Sequence, residues 1–148
     1  MRTTDGDRVF GGFGDIPTDK FADAQLSEVP SKLFIGADFL LLGTLALAYP
    51  HSGASTWKAV DLAIAHGVKI LVDVNWRPTF WESTTIAIPQ IQQLLQRADY
   101  IKFAREEAEL IYGKTSPLEL SYRLPAALGI FVTDGGNVCE YWLNGAID

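Results

Sequence analysis

The chain has 148 residues, 48% of them hydrophobic, and a net charge of −6 from 12 basic and 18 acidic residues. This length and composition predict a folded domain with its own core and argue against disorder, while the acidic balance argues against a nucleic-acid surface. Cys139 is the single cysteine, which excludes an internal disulfide and a multi-thiolate metal site, and no apolar run approaches the ~20 residues of a membrane span.

The first thirty residues differ in pattern from the rest of the chain. Arg8-Val9-Phe10 and Phe13 flank three glycines, and a polar, acidic stretch continues to Ser27. We expect residues 1–30 to form an extended ribbon and residues 31–148 to form an α/β core, together making one incomplete domain. The start of the chain lacks the apolar segment of a secretory signal and the Arg-rich bias of a transit peptide, so no targeting signal is visible. Both ends are expected to be cut, because neither has the pattern of a natural terminus.

Four apolar runs of strand length recur about every thirty residues: Phe39–Gly43, Val68–Asn75, Tyr100–Phe103 and Ile130–Thr133. Stretches with helical periodicity separate them. This β-α-β-α alternation predicts a parallel sheet covered by helices on both faces, a three-layer α/β/α fold.

The intervening stretches carry signals for where each helix begins and ends. Ser52 is expected to cap a first helix that ends at Gly67. Pro89 is expected in the first turn of a second helix. A short acidic helix from Arg105 to Ile111 is expected to end at Gly113. The inward-facing residues of the first two helices are expected to be Trp57, Val60, Ala63 and Ile64 in the first, and Ile91, Leu94, Leu95 and Ala98 in the second.

The most informative segment is Asp73-Val74-Asn75-Trp76-Arg77-Pro78. It places an acid, an amide and a guanidinium at the carboxyl end of a predicted parallel strand, where ligands bind in open α/β sheets. Asp can orient a hydroxyl, Asn both donates and accepts, and Arg offers a planar fork that suits phosphate. The segment therefore predicts a site for a polar, phosphorylated small molecule. A strand that simply ends in a polar turn at Pro78 is the alternative interpretation.

A second polar segment follows the last parallel strand. Thr133-Asp134-Gly135-Gly136-Asn137 has the residues of a hairpin turn, and the residues from Val138 to Trp142 alternate like a strand. Glycine would let backbone N–H groups approach a phosphate closely. A plain hairpin without a ligand is the alternative.

Taken together, these segments resemble the PfkB, or ribokinase-like, carbohydrate kinases, and most closely the fructokinase-like branch. The segment from Asp73 to Pro78 is similar to the family's Asp-Pro-Asn-x-Arg-Pro motif, Ala104 to Glu107 to its Asn/Ser-x-x-Glu motif, and Thr133 onward to its Thr-x-Gly-x-x-Gly nucleotide loop. Thr4 to Phe10 resembles the hairpin that covers the sugar as a lid, and Leu42 to Leu45 resembles the strand end beside the sugar.

The resemblance implies ATP-dependent phosphorylation of a sugar hydroxyl, with ATP and Mg²⁺ as cofactors. It assigns Gly43, Asp73, Asn75 and Arg77 to the sugar, and Arg77 also to stabilising the transferring charge. It assigns Thr133, Gly135 and Lys102 to the nucleotide, and Glu107 to Mg²⁺ indirectly through water. From the residues alone, Glu107 is also interpretable as a solvated acid on a helix face, and Lys102 as a strand-end charge with a packed stem.

The chain departs from the family pattern at several positions. Ala104 stands where the family has Asn or Ser, Val138 stands at the last glycine of the nucleotide loop, and Asp134 adds negative charge beside the phosphates. The family's catalytic base, the Asp of a Gly-Ala-Gly-Asp segment, has no counterpart here, because Gly145-Ala146-Ile147-Asp148 follows the hairpin too early. We therefore expect a fragment of a sugar kinase that is inactive by itself.

Two other interpretations remain open at this point. One is a kinase-like protein without catalysis, used as an interaction or regulatory scaffold. The other is a generic nucleotide-binding α/β domain with different chemistry. The kinase interpretation implies a sugar and ATP as partners, no nucleic acid or membrane, a homodimer formed through the lid, and a location in the cytoplasm or a plastid. His51 and His66 are isolated and are interpreted as structural or solvated.

Overall fold

One five-stranded sheet organises the computed structural model, which describes residue 23 and residues 29–144. The strands are β1 Phe39–Gly43, β2 Lys69–Asp73, β3 Tyr100–Ala104, β4 Gly129–Thr133 and β5 Glu140–Leu143. They are ordered β1-β2-β3-β4-β5, with the first four parallel and β5 antiparallel to β4. All four predicted parallel strands are confirmed as neighbours in one sheet, with β2 shorter than expected. The predicted ribbon over residues 1–30 lies almost entirely outside the described residues.

Four helices connect and flank these strands. They are α1 Pro50–His66, α2 Thr84–Leu95, α3 Arg105–Tyr112 and α4 Pro117–Ser121. Short 3₁₀ turns occupy Ser31–Phe34, Leu45–Ala48 and Pro78–Phe80. None of the helices in this part of the chain is both long and apolar enough to cross a membrane.

The two faces of the sheet differ in burial. On one face, alternate strand residues are completely or almost completely buried against the helices: Ile70, Val72, Ile101, Phe103, Ile130 and Val132. On the other face, Phe39 and Leu41 are 58% and 68% exposed, and Leu71 and Phe131 are half-buried. Right-handed crossovers in a sheet whose strands follow chain order place every helix on the same face. The predicted α/β class is confirmed, and the described residues supply two of the three predicted layers.

The start of α1 corrects one expectation. Ser52 does not cap the helix, because α1 begins earlier at Pro50, directly after Tyr49. Proline suits this first position, since its fixed φ is already helical and the N–H that it lacks would have no partner within the helix. The backbone N–H of Ser52 instead donates to the carboxylate of Asp23 at 2.8 Å. An acid from another part of the chain thus satisfies the helix start. Gly67 does end the helix, with φ 69°.

The start of α2 corrects a second expectation. Pro89 lies inside the helix and not in its first turn, because α2 begins at Thr84. Ser83 is the N-cap, and its side-chain oxygen accepts from the backbone N–H of Ile86. The helix gives up one backbone hydrogen bond at Pro89. Its inward face is as predicted, since Ile91, Leu94 and Leu95 are buried. Ala98, the fourth residue expected inward, is also buried but lies just after the helix ends.

Candidate functional site at the carboxyl edge of the sheet

The predicted site residues converge on the edge where the parallel strands end. Gly43 is paired in register with Asp73, Asp73 with Lys102, and Ala104 with Thr133. Because neighbouring parallel strands end at the same edge, residues distant in sequence become neighbours there. The described structure therefore brings the ends of β1 to β4 and the segments that follow them to one side of the molecule.

Glu107 is a buried acid at this edge. Its side chain is 5% exposed. Its Oε1 accepts from the backbone N–H of Trp76, and its Oε2 from the backbone N–H of Ala104, each at 2.7 Å. The interpretation of Glu107 as a solvated acid is wrong, since a buried carboxylate needs such partners and has them. Glu107 ties the end of β2 to the end of β3.

Asn75 adopts the backbone conformation that makes this tie possible. Its φ is 46°, the one positive value at a non-glycine residue in the described ranges. Asn tolerates the left-handed region better than most residues do. Val74, directly before Asn75, holds the turn against β3, because its N–H donates to the carbonyl of Lys102 at 3.0 Å. Strained conformations of this kind concentrate at functional sites.

Thr44 adds a contact that the sequence did not single out. It is completely buried, and its hydroxyl donates to the carbonyl of Val74 at 2.5 Å. The residue directly after Gly43 thus connects the ends of β1 and β2. A small polar residue after a strand carries no signal in sequence that distinguishes such a contact from an ordinary turn.

Asp73 and Lys102 form an ion pair across neighbouring strands. Lys102 Nζ lies 3.1 Å from Asp73 Oδ1, with the two side chains 35% and 45% exposed. Sequence reasoning assigned them to different ligands, the sugar and the nucleotide. Their pairing means that either ligand would meet a lysine and an aspartate already in contact. At this exposure the pair contributes little to stability.

Arg77 lies beyond the strained turn. Its Nη1 donates to the carbonyl of Trp76 at 2.8 Å. The rings of Trp76 and Trp81 stack with centroids 6.1 Å apart. These contacts pack the segment that follows β2 against the fold and keep the guanidinium near the strand end.

The turn after β4 is the predicted hairpin. The backbone N–H of Asn137 donates to the carbonyl of Asp134 at 2.8 Å, and Gly135 has φ 53°. A Cβ added at Gly135 would meet nothing within 4 Å, so glycine is needed there for conformation and not for space. The hydroxyl of Thr133 donates to the carbonyl of Phe103 at 3.2 Å. The strand after this turn is β5, which begins at Glu140 and not at Val138.

Arg105 also contacts this turn, and sequence reasoning missed it. Its Nε lies 3.0 Å from Asp134 Oδ2, and its Nη2 lies 2.6 Å from Glu140 Oε1. The hydrogen bond to Glu140 raises the pKa of the Arg105 guanidinium above its ordinary value, against a smaller opposing effect of burial. These partners are 29 and 35 residues away in sequence, so no local pattern indicates them.

A metal ion would find few ligands among the described residues. They contain no group of three His, Cys, Asp or Glu side chains that could hold a metal ion. Both oxygens of Glu107 already accept backbone hydrogen bonds. This donor set does not fit direct coordination of Mg²⁺, which prefers several oxygen ligands and keeps its waters.

Comparison with known proteins confirms the resemblance found in the sequence. The family described as pfkB family carbohydrate kinase matches residues 3–138. A probable fructokinase-2 of Arabidopsis thaliana is 28% identical over 142 residues, covering 94% of this chain and 43% of that protein. A 5-dehydro-2-deoxygluconokinase of Shouchella clausii is 31% identical over 100 residues, covering 66% of this chain and 31% of that protein.

Solved structures match the fold as well. Fructokinase from Vibrio cholerae O395, in a form with fructose, ADP and calcium ion bound, superposes with a TM-score of 0.72 at 24% identity. The match covers 84% of this chain and 41% of that one. The predicted incomplete ribokinase-like α/β fold is thereby confirmed, and the chain spans less than half the length of the proteins that it matches.

Proposed function

The chain belongs to the pfkB family of carbohydrate kinases, and we propose that it serves the ATP-dependent phosphorylation of a sugar hydroxyl, with a ketose or related polyol as the acceptor. The main support for this proposal is that polar groups from neighbouring strands lie together at the carboxyl edge of the sheet. The two hydrogen bonds that Glu107 accepts fix the turn at Asn75. The glycine turn follows β4 at the same edge of the sheet. A sugar and a nucleotide would be positioned there side by side.

In this proposal each group has a chemical role. Gly43, Asp73 and Asn75 face the sugar, and Arg77 neutralises charge on the transferring phosphoryl group. Gly135 and Thr133 receive the nucleotide phosphates, and Lys102 supplies a further positive charge. A magnesium ion carried by the nucleotide would neutralise phosphate charge, and Glu107 would reach it only through water.

The 148 residues are not expected to turn over substrate by themselves. They contain no counterpart of the family's Gly-Ala-Gly-Asp segment, so no residue here is assigned as the base for the sugar hydroxyl. We expect nucleotide binding without sugar-dependent consumption of ATP. Turnover by the purified chain would contradict the assignment of the base to a segment that this chain lacks.

A kinase-like scaffold without catalysis is the second candidate. Ala104 supplies a backbone N–H to Glu107 but has no polar side chain. Val138, at the position of the loop's last glycine, is 80% exposed. Both features weaken a phosphate site while leaving the fold intact. Family membership removes the third interpretation, a nucleotide-binding domain of unrelated chemistry.

Two glycines allow a matched test of the nucleotide site. Gly135 and Gly113 both have positive φ, 53° and 64°, and a Cβ at either would meet nothing within 4 Å. Gly113 ends α3, away from the carboxyl edge. Gly135→Ala and Gly113→Ala should each cost about 1 kcal/mol of stability from the same backbone strain. Titration calorimetry with ADP and Mg²⁺ should show weakened binding for Gly135→Ala alone. Equal binding by both variants would contradict the proposed site.

A further inference from the structure

The nucleotide turn carries a charge that opposes its proposed role. Asp134 follows Thr133 directly and opens the turn. A carboxylate beside a phosphate raises the free energy of binding by Coulomb repulsion, most strongly where water is partly excluded. The fold must offset this charge if the turn is to receive a nucleotide.

Arg105 is placed to do so. Its guanidinium bridges the two arms of the hairpin, with Nε 3.0 Å from Asp134 Oδ2 and Nη2 2.6 Å from Glu140 Oε1. The side-chain amide of Asn137 donates to the same Asp134 oxygen at 3.2 Å. One carboxylate oxygen thus has two donors that hold it within the turn.

Helix stability does not explain an arginine at this position. Arg105 is the first residue of α3. A positive charge there opposes the helix dipole, which favours acids in the first turn. The ion pairs are also partly exposed, at 35% for Arg105 and 34% and 48% for its partners. Pairs of that exposure contribute little to stability. The contacts therefore fix the turn more than they stabilise the fold.

We propose that Arg105 is a positioning residue for nucleotide binding, which turns the carboxylate of Asp134 away from the phosphates and offsets its negative charge with the guanidinium. This inference rests on the proposed function. It assigns a role to a residue within the Ala104 to Glu107 segment, at the start of α3 and beside the turn that follows β4. Arg105 acts through Asp134 and is not assigned a contact with the nucleotide.

Binding of ADP with Mg²⁺, measured by titration calorimetry, tests the proposal. Arg105→Ala should weaken ADP binding by about tenfold, because one charge near a phosphate is left without its partner. Arg105→Lys should retain part of the affinity. Arg97→Ala is the matched control, since Arg97 forms an exposed ion pair of 2.8 Å with Asp61. It should bind ADP as the unmodified chain does.

A double variant separates positioning from general damage to the fold. Adding Asp134→Asn to Arg105→Ala should restore most of the lost affinity, because the repelling charge is gone. Adenosine, which has no phosphate, should bind the Arg105→Ala variant as it binds the unmodified chain. Unchanged ADP affinity in Arg105→Ala, or no recovery in the double variant, would overturn the inference alone. Absence of ADP binding by the unmodified chain would overturn the proposed function together with it.

Discussion

The carboxylate of Glu107 accepts a hydrogen bond from the backbone N–H of Trp76, 31 residues earlier in the chain, at 2.7 Å. Its other oxygen accepts from Ala104 at the same distance. This one side chain therefore fixes the turn in which Asn75 holds its positive φ. A residue expected from the sequence to serve a metal ion also shapes the strand end expected to face the sugar.

Replacing this carboxylate should destabilise the fold. In Glu107→Gln the amide NH₂ would face a backbone N–H, so one buried donor would lose its acceptor. The expected loss is about 1–3 kcal/mol in the free energy of unfolding, measured by urea denaturation. Glu106→Gln is the control, because Glu106 is exposed in the same helical turn. Equal stability of the two variants would show that the hydrogen bonds of Glu107 do not contribute to the free energy of unfolding.

Asn75 should be sensitive to backbone conformation. Asn75→Ala should lower the free energy of unfolding by about 1 kcal/mol, since a Cβ without a local hydrogen-bonding group disfavours positive φ. Asn75→Gly should be neutral or slightly stabilising at the same site. Parallel denaturation of both variants measures the difference. If alanine and glycine had the same effect, the turn would not hold the left-handed conformation in solution.

The buried hydroxyl of Tyr112 predicts a change in stability at high pH. Burial raises the pKa of Tyr112 to about 12, and its oxygen has no hydrogen-bond partner among the described residues. The folded state therefore favours the neutral phenol, and its contribution to stability is complete below pH ~10, the unfolded value. That contribution is lost as the pH rises from about 10 to about 12, by at most about 1.4 kcal/mol per pH unit.

The comparison of two phenylalanine variants isolates this effect from the other groups that titrate. Tyr112→Phe keeps the edge-on ring contact with Phe103 and should remove the loss above pH ~10. Tyr122→Phe changes a residue that is 74% exposed and should retain the loss. Denaturation curves recorded at several pH values provide the measurement. A Tyr112→Phe profile parallel to that of the unmodified chain would refute the assignment.

The exposed face of the sheet predicts self-association. Phe39 and Leu41 of β1 are 58% and 68% exposed on the face opposite the helices, and β2 is the sole partner of β1 among the described strands. Apolar surface beside an unpaired strand edge favours contacts between chains. Sedimentation of the 148-residue chain should show dimers or larger species, and Leu41→Lys should reduce them. Leu118→Lys, at an exposed residue of α4, should not. A monodisperse monomer would contradict this prediction.

The strands and the inward face of α2 were predictable because each is encoded locally. The inward face of α1 was predicted in part, since Val60 and Ala63 are buried but Ile64 is 51% exposed. An apolar run such as the one in β4 indicates a strand without knowledge of its neighbours, and the buried face of α2 follows from helical spacing. The starts of the helices were less predictable. Ser52 looks like a cap in sequence, but Asp23, 29 residues away, serves its backbone N–H.

The contacts that define the site depend on register between strands. Neither the bond from Trp76 to Glu107 nor the bridge of Arg105 to Asp134 and Glu140 has a signal within one helix or strand. The placement of the helices on one face has the same origin. The β-α alternation in the sequence is the same whether the helices cover one face of the sheet or both. Only the order of the strands decides between these two arrangements.

The position of nucleotide binding is the most direct test of the account. Backbone amide signals of the isotopically labelled chain, followed by NMR during titration with ADP and Mg²⁺, would locate it. We expect the largest changes in the turn from Thr133 to Asn137 and at the end of β3 around Lys102. Amides at the opposite edge of the sheet, including Asp99 and Gly113, should stay unchanged. Changes confined to that opposite edge, or no changes at saturating ADP, would contradict a nucleotide site at the carboxyl ends of the strands.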